Sequence, residues 1–179
     1  MKEVIIFARA GQGAITTAAI LGEALFLEEK FSYAFPHFGA ARMGAPMNSF
    51  LRFDTRPIRI RSKIYTPDYV IVIDPTLLHS LDCFAGLKER GVAIINSSEQ
   101  ITPPQSSQKV YCVPALEIAL STIGRPFANT VLLGAFSKAT GEVNLDSIIE
   151  AVRRRFTKTK PEVLEKNIEA VRKGYESIK

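Results

Sequence analysis

The chain has 179 residues, of which 46% are hydrophobic and 23% charged, and its formal net charge is +5. This size and composition are typical of an ordinary globular protein, so we expect residues 1–179 to form a single domain. No apolar run approaches the roughly 20 residues of a membrane-spanning helix. Because the first residues lead directly into a strand and do not resemble a signal peptide, we predict a cytoplasmic protein without a membrane partner.

The first predicted strand and the turn after it are the most informative part of the chain. Residues 4–7 form an uninterrupted apolar run, typical of a strand buried on both faces, and a helix is predicted over residues 14–27. Between them, Gly11 and Gly13 allow positive φ and let a ligand approach without meeting a Cβ. The N-terminus of the helix offers free N–H groups to an anion. Such a turn is either a phosphate cradle or an ordinary tight connection.

A second strand is predicted over residues 31–35, where aromatic and small residues alternate. A dinucleotide fold usually places an acidic residue for the ribose about 20 residues after its glycines. The corresponding stretch here, residues 35–38, contains no acid, and the turn lacks the full glycine fingerprint. The pattern therefore disfavours NAD as a ligand.

An antiparallel β insertion is predicted near residues 47–64, with arms over 47–53 and 56–64. In the second arm isoleucines alternate with basic residues, which predicts an apolar inner face and a basic outer face. The region contains one acid, Asp54, and several cations: Arg42, Arg52, Arg56, Arg59, Arg61 and Lys63. Such a cluster suits an anionic ligand, an acidic partner or nucleic acid, but it is more typical of a solvated strand face.

Strands and helices alternate through the remainder of the chain. This order predicts an α/β, Rossmann-like fold: a mostly parallel sheet with helices on both faces and the antiparallel insertion near 47–64. The further predicted strands are 69–73, 91–96 and 110–113, and the further helices are 75–84, 114–124, 131–139, 146–156 and 161–178. Ligands of such folds gather at the carboxyl ends of the strands. We expect the turn at 9–13 to meet the loops at 37–46 and 125–130 there.

Two side chains in these loops are candidate ligand contacts. Arg42 stands among small residues, so its planar guanidinium is free to reach a phosphate or carboxylate, or to tie down the loop. Asn129 is predicted at a helix N-cap, a role compatible with a ligand contact from its amide nitrogen. Cys83 and Cys112 stand far apart, which indicates structural burial and disfavours a disulfide or cluster. With no recognisable catalytic arrangement, the chain is predicted to bind an anion and to dock against other chains.

Several stretches together resemble the gamma subunit of the pyruvate and 2-oxoisovalerate ferredoxin oxidoreductases. The resemblance runs in order through nearly the whole chain, so it is more specific than any single motif. The matching stretches are residues 9–18 (RAGQGAITTA), 34–46 (AFPHFGAARMGAP), 56–59 (RPIR), 64–72 (IYTPDYVIV), 74–78 (DPTLL), 129–135 (NTVLLGA) and 167–176 (NIEAVRKGYE).

The resemblance implies a non-catalytic subunit of an enzyme that converts a 2-oxoacid and coenzyme A to acyl-CoA, CO2 and reduced ferredoxin. Thiamine diphosphate, Mg²⁺ and [4Fe-4S] clusters would belong to the partner alpha, beta and delta subunits, with ferredoxin as the electron acceptor. The implied coenzyme A contacts on this chain are Gly11, Gln12, Gly13, Arg42 and Asn129. Pyruvate or 2-oxoisovalerate is the implied 2-oxoacid, and the choice would be made around the thiamine on another chain.

The sequence departs from the family pattern at the turn and in the following loop. Ala8 and Ala10 replace two glycines of the usual Gly-Arg-Gly-Gly-Gln-Gly, and Met43 stands where a second arginine is frequent. The extra methyl groups and the lost charge are expected to weaken phosphate binding. Two alternatives therefore stay open: a purely structural docking subunit, and the small subunit of an indolepyruvate oxidoreductase. A free-standing dinucleotide or nucleic-acid binder is disfavoured.

Overall fold

The computed structural model describes residues 1–37 and 43–179. Its strands are β1 (Lys2–Arg9), β2 (Phe31–His37), β3 (Pro46–Asp54), β4 (Tyr69–Val72), β5 (Val92–Asn96) and β6 (Lys109–Val113). Its α-helices are α1 (Ala14–Leu27), α2 (Ala115–Thr122), α3 (Ala128–Thr140), α4 (Leu145–Arg155) and α5 (Pro161–Glu176), and a 3-10 helix covers Pro75–His79. None of these helices is both long and apolar enough to cross a membrane.

The six strands form one sheet in the order β2-β3-β1-β4-β5-β6. Strands β1, β4, β5 and β6 are parallel, and β3 runs antiparallel to both of its neighbours, β1 and β2. In the centre Ile6 lies opposite Ile71, which lies opposite Ile94. All three side chains are fully buried, as the continuous apolar runs predict. The predicted α/β class with a mostly parallel sheet is confirmed.

The prediction of helices on both faces of the sheet holds on one face only through the 3-10 helix, because within residues 1–37 and 43–179 all five α-helices pack on the other. Ile6 and its neighbours of the same parity pack in one core with residues of all five α-helices. The opposite face, which carries Phe7, is covered by the 3-10 helix and by irregular segments around Ile64, Cys83 and Leu87. The helix predicted over 75–84 ends at His79, and beyond it the Asp82 carboxylate accepts a hydrogen bond from the Phe84 N–H, a local bond that competes with helical pairing.

A hairpin was predicted with arms over 47–53 and 56–64. Its second arm is wrong. Strand β3 is present, but it pairs with β1 on one edge and β2 on the other, so neither edge remains for residues 56–64. That segment forms no strand; Ile60 is 47% exposed, although Ile64 is buried. The antiparallel part of the sheet is therefore β3 with its two neighbours, β1 and β2.

Arg52 does not belong to an exposed basic face, because its side chain is only 2% exposed. Its Nε lies 2.8 Å from a Glu3 carboxylate oxygen, and its Nη1 donates a hydrogen bond to the Ser62 carbonyl at 2.6 Å. Its Nη2 donates a hydrogen bond to the Lys63 carbonyl at 3.4 Å. Arg52 thus fastens the irregular segment 56–63 to the sheet.

Candidate functional site: a cleft at the carboxyl edge of the sheet

A cleft of about 440 Å³ opens beside the turn that follows β1. It lies between this turn, the start of α3 and the first half of α5. Its polar lining comprises Gln12, Thr16, Arg125, Asn129, Thr130, Lys166 and Asn167, and Gly11 and Gly13 complete the wall of the turn. The structure therefore brings together four of the five predicted contacts, namely Gly11, Gln12, Gly13 and Asn129. The fifth, Arg42, lies outside the described residues.

The glycine turn presents the N-terminus of α1 to the cleft. Gly13 flanks the helix with φ 87°, and Gly11 has φ 99°, both in the left-handed region that disfavours side chains. The first intrahelical bond is donated by the N–H of Thr17 to the Gly13 carbonyl. The N–H groups of the residues before Thr17 therefore have no intrahelical acceptor. Because the first turn of α1 carries no acidic residue, these donors remain suited to an anion.

Gln12 braces this turn from within. Its Oε1 accepts a hydrogen bond from the Arg9 N–H at 2.7 Å, and its Nε2 donates to Asp74 Oδ2 at 2.7 Å. Both polar groups of the side-chain amide are therefore engaged by the protein. Gln12 lines the cleft, but its polar contribution is to hold the backbone of the turn.

Asp74 connects the carboxyl ends of β1 and β4. Besides Gln12, its carboxylate accepts hydrogen bonds from the N–H and the hydroxyl of Thr76, and it lies 3.2 Å from Arg9 Nε. Burial raises the pKa of this carboxyl, but the hydrogen bonds from Thr76 and Gln12 and the charge of Arg9 together lower it below its ordinary value. Asp74 is therefore ionised at neutral pH and caps the 3-10 helix.

The described end of the loop that contains Arg42 is tied to the same turn. The Ala10 N–H donates to the Ala45 carbonyl at 2.9 Å, and Arg9 Nη1 donates to the Gly44 carbonyl at 3.2 Å. The predicted meeting of these two segments is confirmed at Gly44 and Ala45. Of the two alanines that depart from the family pattern, Ala8 is fully buried in the core on the helical face and Ala10 packs against that core. Neither methyl group lines the cleft.

The sequence predicted Asn129 as the N-cap of α3, and this prediction is wrong. Phe127 occupies that position, with φ −99° and ψ 70°, and the helical conformation begins at Ala128. Asn129 lies in the first turn and is 6% exposed. Its Nδ2 would lie 2.8 Å from a Cβ placed on Gly13, so the amide packs directly onto the glycine turn. Within residues 1–37 and 43–179 this amide makes no side-chain hydrogen bond, and it lines the cleft.

The structure adds two cations to the predicted site. Arg125, in the loop before α3, is exposed and forms no ion pair with the described residues. Lys166, on α5, lies 2.7 Å from Glu162 one turn earlier, and the Glu162 side chain is 75% exposed. Arg125 fell within a predicted site loop. Lys166 carried no distinguishing signal, because charged residues on an amphipathic helix usually belong to a solvated face.

The two cysteines lie away from this cleft. Burial, with a smaller effect from the charge of Asp82, raises the pKa of the Cys83 thiol to about 11. The pKa of Cys112 is also raised by burial. Both sulfurs are therefore protonated and poorly nucleophilic at neutral pH. The described parts of the chain contain no cluster of three His, Cys, Asp or Glu side chains that is able to hold a metal ion.

Comparison with known proteins identifies the family. The pyruvate ferredoxin/flavodoxin oxidoreductase family matches residues 3–177. The chain belongs to this family. The gamma subunit common to the pyruvate and ketoisovalerate oxidoreductases of Pyrococcus furiosus is 47% identical over 181 residues, covering 98% of this chain and 96% of the relative. The predicted resemblance and the oxidoreductase class are confirmed.

Solved structures agree with this assignment. The pyruvate oxidoreductase subunit PORC of Thermotoga maritima superposes with a TM-score of 0.86 at 36% identity, covering 98% of this chain and 95% of that one. A 2-oxoglutarate:ferredoxin oxidoreductase from Magnetococcus marinus, solved with 2-oxoglutarate, coenzyme A and succinyl-CoA bound, matches with a TM-score of 0.83 at 19% identity. That match covers 98% of this chain and 30% of the larger one, and at this identity it is a likeness of fold.

Proposed function

We propose that this chain, as the gamma subunit of a 2-oxoacid:ferredoxin oxidoreductase, supplies one wall of the coenzyme A site. The observation that carries the proposal is the convergence of the α1 N-terminus, Asn129, Arg125 and Lys166 on one cleft. Coenzyme A is polyanionic through its phosphates. Helix N-termini, arginine and lysine are the groups with which proteins ordinarily bind phosphate.

The cleft matches part of a coenzyme A molecule in both size and chemistry. Its volume of about 440 Å³ lies within the roughly 300–1,000 Å³ typical of small-molecule sites. The start of α1 and Asn129 line it, together with apolar side chains such as Ile123 and Phe127. Such a surface accommodates a phosphate at the turn and an apolar portion of the same ligand next to it.

The ion pair of Lys166 does not stand against this role. An exposed pair such as Lys166–Glu162 contributes roughly 0–1 kcal/mol, whereas a hydrogen bond to a charged group contributes roughly 1.5–3 kcal/mol. A bound phosphate therefore competes successfully with Glu162 for the ammonium group. Arg125 has no such competitor among the described residues.

The remaining parts of the proposal concern the assembly. Thiamine diphosphate, Mg²⁺ and the [4Fe-4S] clusters belong to partner alpha, beta and delta subunits, and ferredoxin accepts the electrons. The 2-oxoacid is pyruvate or 2-oxoisovalerate, since the relative from Pyrococcus furiosus is described as common to both enzymes. Residues 1–179 act as one domain, and the assembly works in the cytoplasm.

The test is the Michaelis constant for coenzyme A in the assembled enzyme carrying Arg125→Gln or Lys166→Gln. Each change removes a cation and keeps a polar side chain of similar length. We expect KM for coenzyme A to rise about tenfold for each, because the loss of one charged contact costs about 1.4 kcal/mol or more. The KM for the 2-oxoacid is expected to stay the same.

Lys173→Gln serves as the matched control, because Lys173 lies on the same helix in an i,i+4 pair with Glu169 and does not line the cleft. Arg42→Ala belongs to the same series as the remaining predicted contact. If Arg125→Gln, Lys166→Gln and Arg42→Ala all leave the KM for coenzyme A unchanged, the coenzyme A proposal fails. The purely structural docking role is then the better account of the chain.

A further inference from the structure

We propose that the face of the sheet without α-helices is a docking surface for an acidic neighbouring chain, held through the basic segment 56–63. An α/β sheet usually carries α-helices on both faces. Here the described α-helices all pack on one face, and the 3-10 helix and irregular segments cover the other. The proposal depends on family membership as a subunit and not on the coenzyme A site.

The segment displays four cations that the described residues leave without a carboxylate partner. These are Arg56, Arg59, Arg61 and Lys63, all exposed. The neighbouring acid, Asp54, is 2.6 Å from the amino terminus, and that contact lowers the pKa of Asp54. The local charge is therefore uncompensated, and it complements an acidic surface.

The segment is fixed in place although it has no regular secondary structure. Arg52 holds its backbone at Ser62 and Lys63, and the buried side chain of Ile64 anchors its end. Arg61 donates a hydrogen bond to the Ile58 carbonyl at 3.0 Å. Ordering of the segment before binding reduces the entropy that docking would otherwise cost. A merely solvated charged loop would not need these contacts.

Exposed apolar side chains accompany the cations and favour a protein over nucleic acid. Ile60 is 47% exposed and Tyr65 is 71% exposed, and arginine mixed with aromatic residues is typical of protein interfaces. The Tyr33 ring nearby is already occupied: the Arg61 guanidinium lies 4.0 Å from its centre, and the Phe35 ring stacks on it with 5.0 Å between the ring centres. Tyr33 is therefore a poor platform for stacking bases.

The test uses the enzyme purified through a tag on this chain, with Arg56, Arg59, Arg61 and Lys63 all changed to Glu. The matched control reverses four other exposed cations, Arg90, Lys109, Arg153 and Arg172, and so changes the net charge equally. We expect the first variant to lose its partner chains at a salt concentration at least about twofold lower than wild type. The control is expected to dissociate as wild type does.

A milder variant, Arg56→Glu with Arg59→Glu, keeps the proposal testable if the fourfold change prevents folding, because neither side chain makes a hydrogen bond or ion pair with the described residues. We expect it to show a smaller shift in the same direction. If this double variant loses its partner chains only at the salt concentration that dissociates the wild type, the proposal is overturned. Co-purification of nucleic acid that the reversal abolishes would also overturn it. The KM for coenzyme A in the intact assembly is expected to stay unchanged, which separates this outcome from failure of the coenzyme A proposal.

Discussion

At the residue scale, the site depends on a turn whose shape is set by contacts on both sides. Gln12 holds its backbone from the sheet side, where its Nε2 donates a hydrogen bond to Asp74 Oδ2 at 2.7 Å. Asn129 packs on it from the helix side, against Gly13. A ligand phosphate at the α1 N-terminus would therefore meet donors that are already in position, without an ordering cost.

This arrangement distinguishes the two glycines of the turn. Both have positive φ, so an alanine at either position is strained by about 1–2 kcal/mol. Around Gly11 no atom of the described residues, its chain neighbours aside, lies within 4 Å of an added Cβ, whereas at Gly13 it would meet the Asn129 amide at 2.8 Å. We expect Gly11→Ala to lower the free energy of unfolding by about 1 kcal/mol and Gly13→Ala by about 3 kcal/mol. Urea denaturation of both variants measures the difference.

The contact with Asn129 is tested separately by a double-mutant cycle. Asn129→Ala removes the amide that the new methyl group would meet, so in the Gly13→Ala background it should recover about 1 kcal/mol of the loss. The same substitution in the Gly11→Ala background should give no recovery. Strict additivity of Gly13→Ala and Asn129→Ala would show that the close approach of turn and helix is wrong.

At the element scale, the crossing of α3 and α5 determines where the cleft has its second wall. An added Cβ on Gly134 would collide with the Val171 carbonyl, and one on Gly174 would collide with the Val131 carbonyl. The two helices therefore approach through glycines at backbone distance. This close packing brings Lys166 and Asn167 of α5 to the cleft, where they lie across from the turn after β1 and Asn129 as the second wall.

Gly134→Ala is expected to be strongly destabilising for this reason. Backbone atoms cannot move aside as a flexible side chain does, so the helices must separate, at a cost of about 3 kcal/mol or more. Gly22→Ala in α1 is the control, because its Cβ would meet only side-chain atoms, Ser32 Oγ at 3.3 Å and Leu51 Cδ1 at 3.5 Å. Thermal unfolding should show a large drop in Tm for Gly134→Ala and little change for Gly22→Ala. Similar Tm values for the two would contradict the glycine-mediated crossing.

Local sequence patterns predicted those elements whose environment is uniform along their length. Strands β1, β4 and β5 are buried on both faces, so their apolar runs were sufficient, and the glycine turn followed directly. The alternation in 56–64 was misleading because strand pairing is decided by which edges are free, and β3 already has β1 and β2. The burial of Arg52 and the entry of Lys166 into the cleft depend on tertiary packing, which no local spacing records.

At the scale of the whole molecule, the two faces of the sheet are held together differently. On one face, five α-helices form a continuous apolar core. On the other, a smaller core lies under the 3-10 helix and irregular segments, and the segment 56–63 is held mainly by hydrogen bonds of Arg52 and by Ile64. Regions with few buried apolar contacts open most readily. The face without α-helices should therefore open before the α-helical face does.

Arg52→Met tests this asymmetry, because methionine fills much of the same volume but cannot bind the carbonyls of Ser62 and Lys63 or the Glu3 carboxylate. Removal of one partner of a largely buried pair typically costs about 3 kcal/mol, since the other charge is left unpaired. We expect faster amide hydrogen exchange over residues 58–64 and earlier trypsin cleavage after Arg59, Arg61 and Lys63, with β1 and α3 still protected. Glu3→Gln keeps the bonds from Arg52 to the segment, so its exchange over 58–64 should rise much less. Equal exchange in the two variants would mean that the ion pair, and not the carbonyl contacts, holds the segment on the sheet.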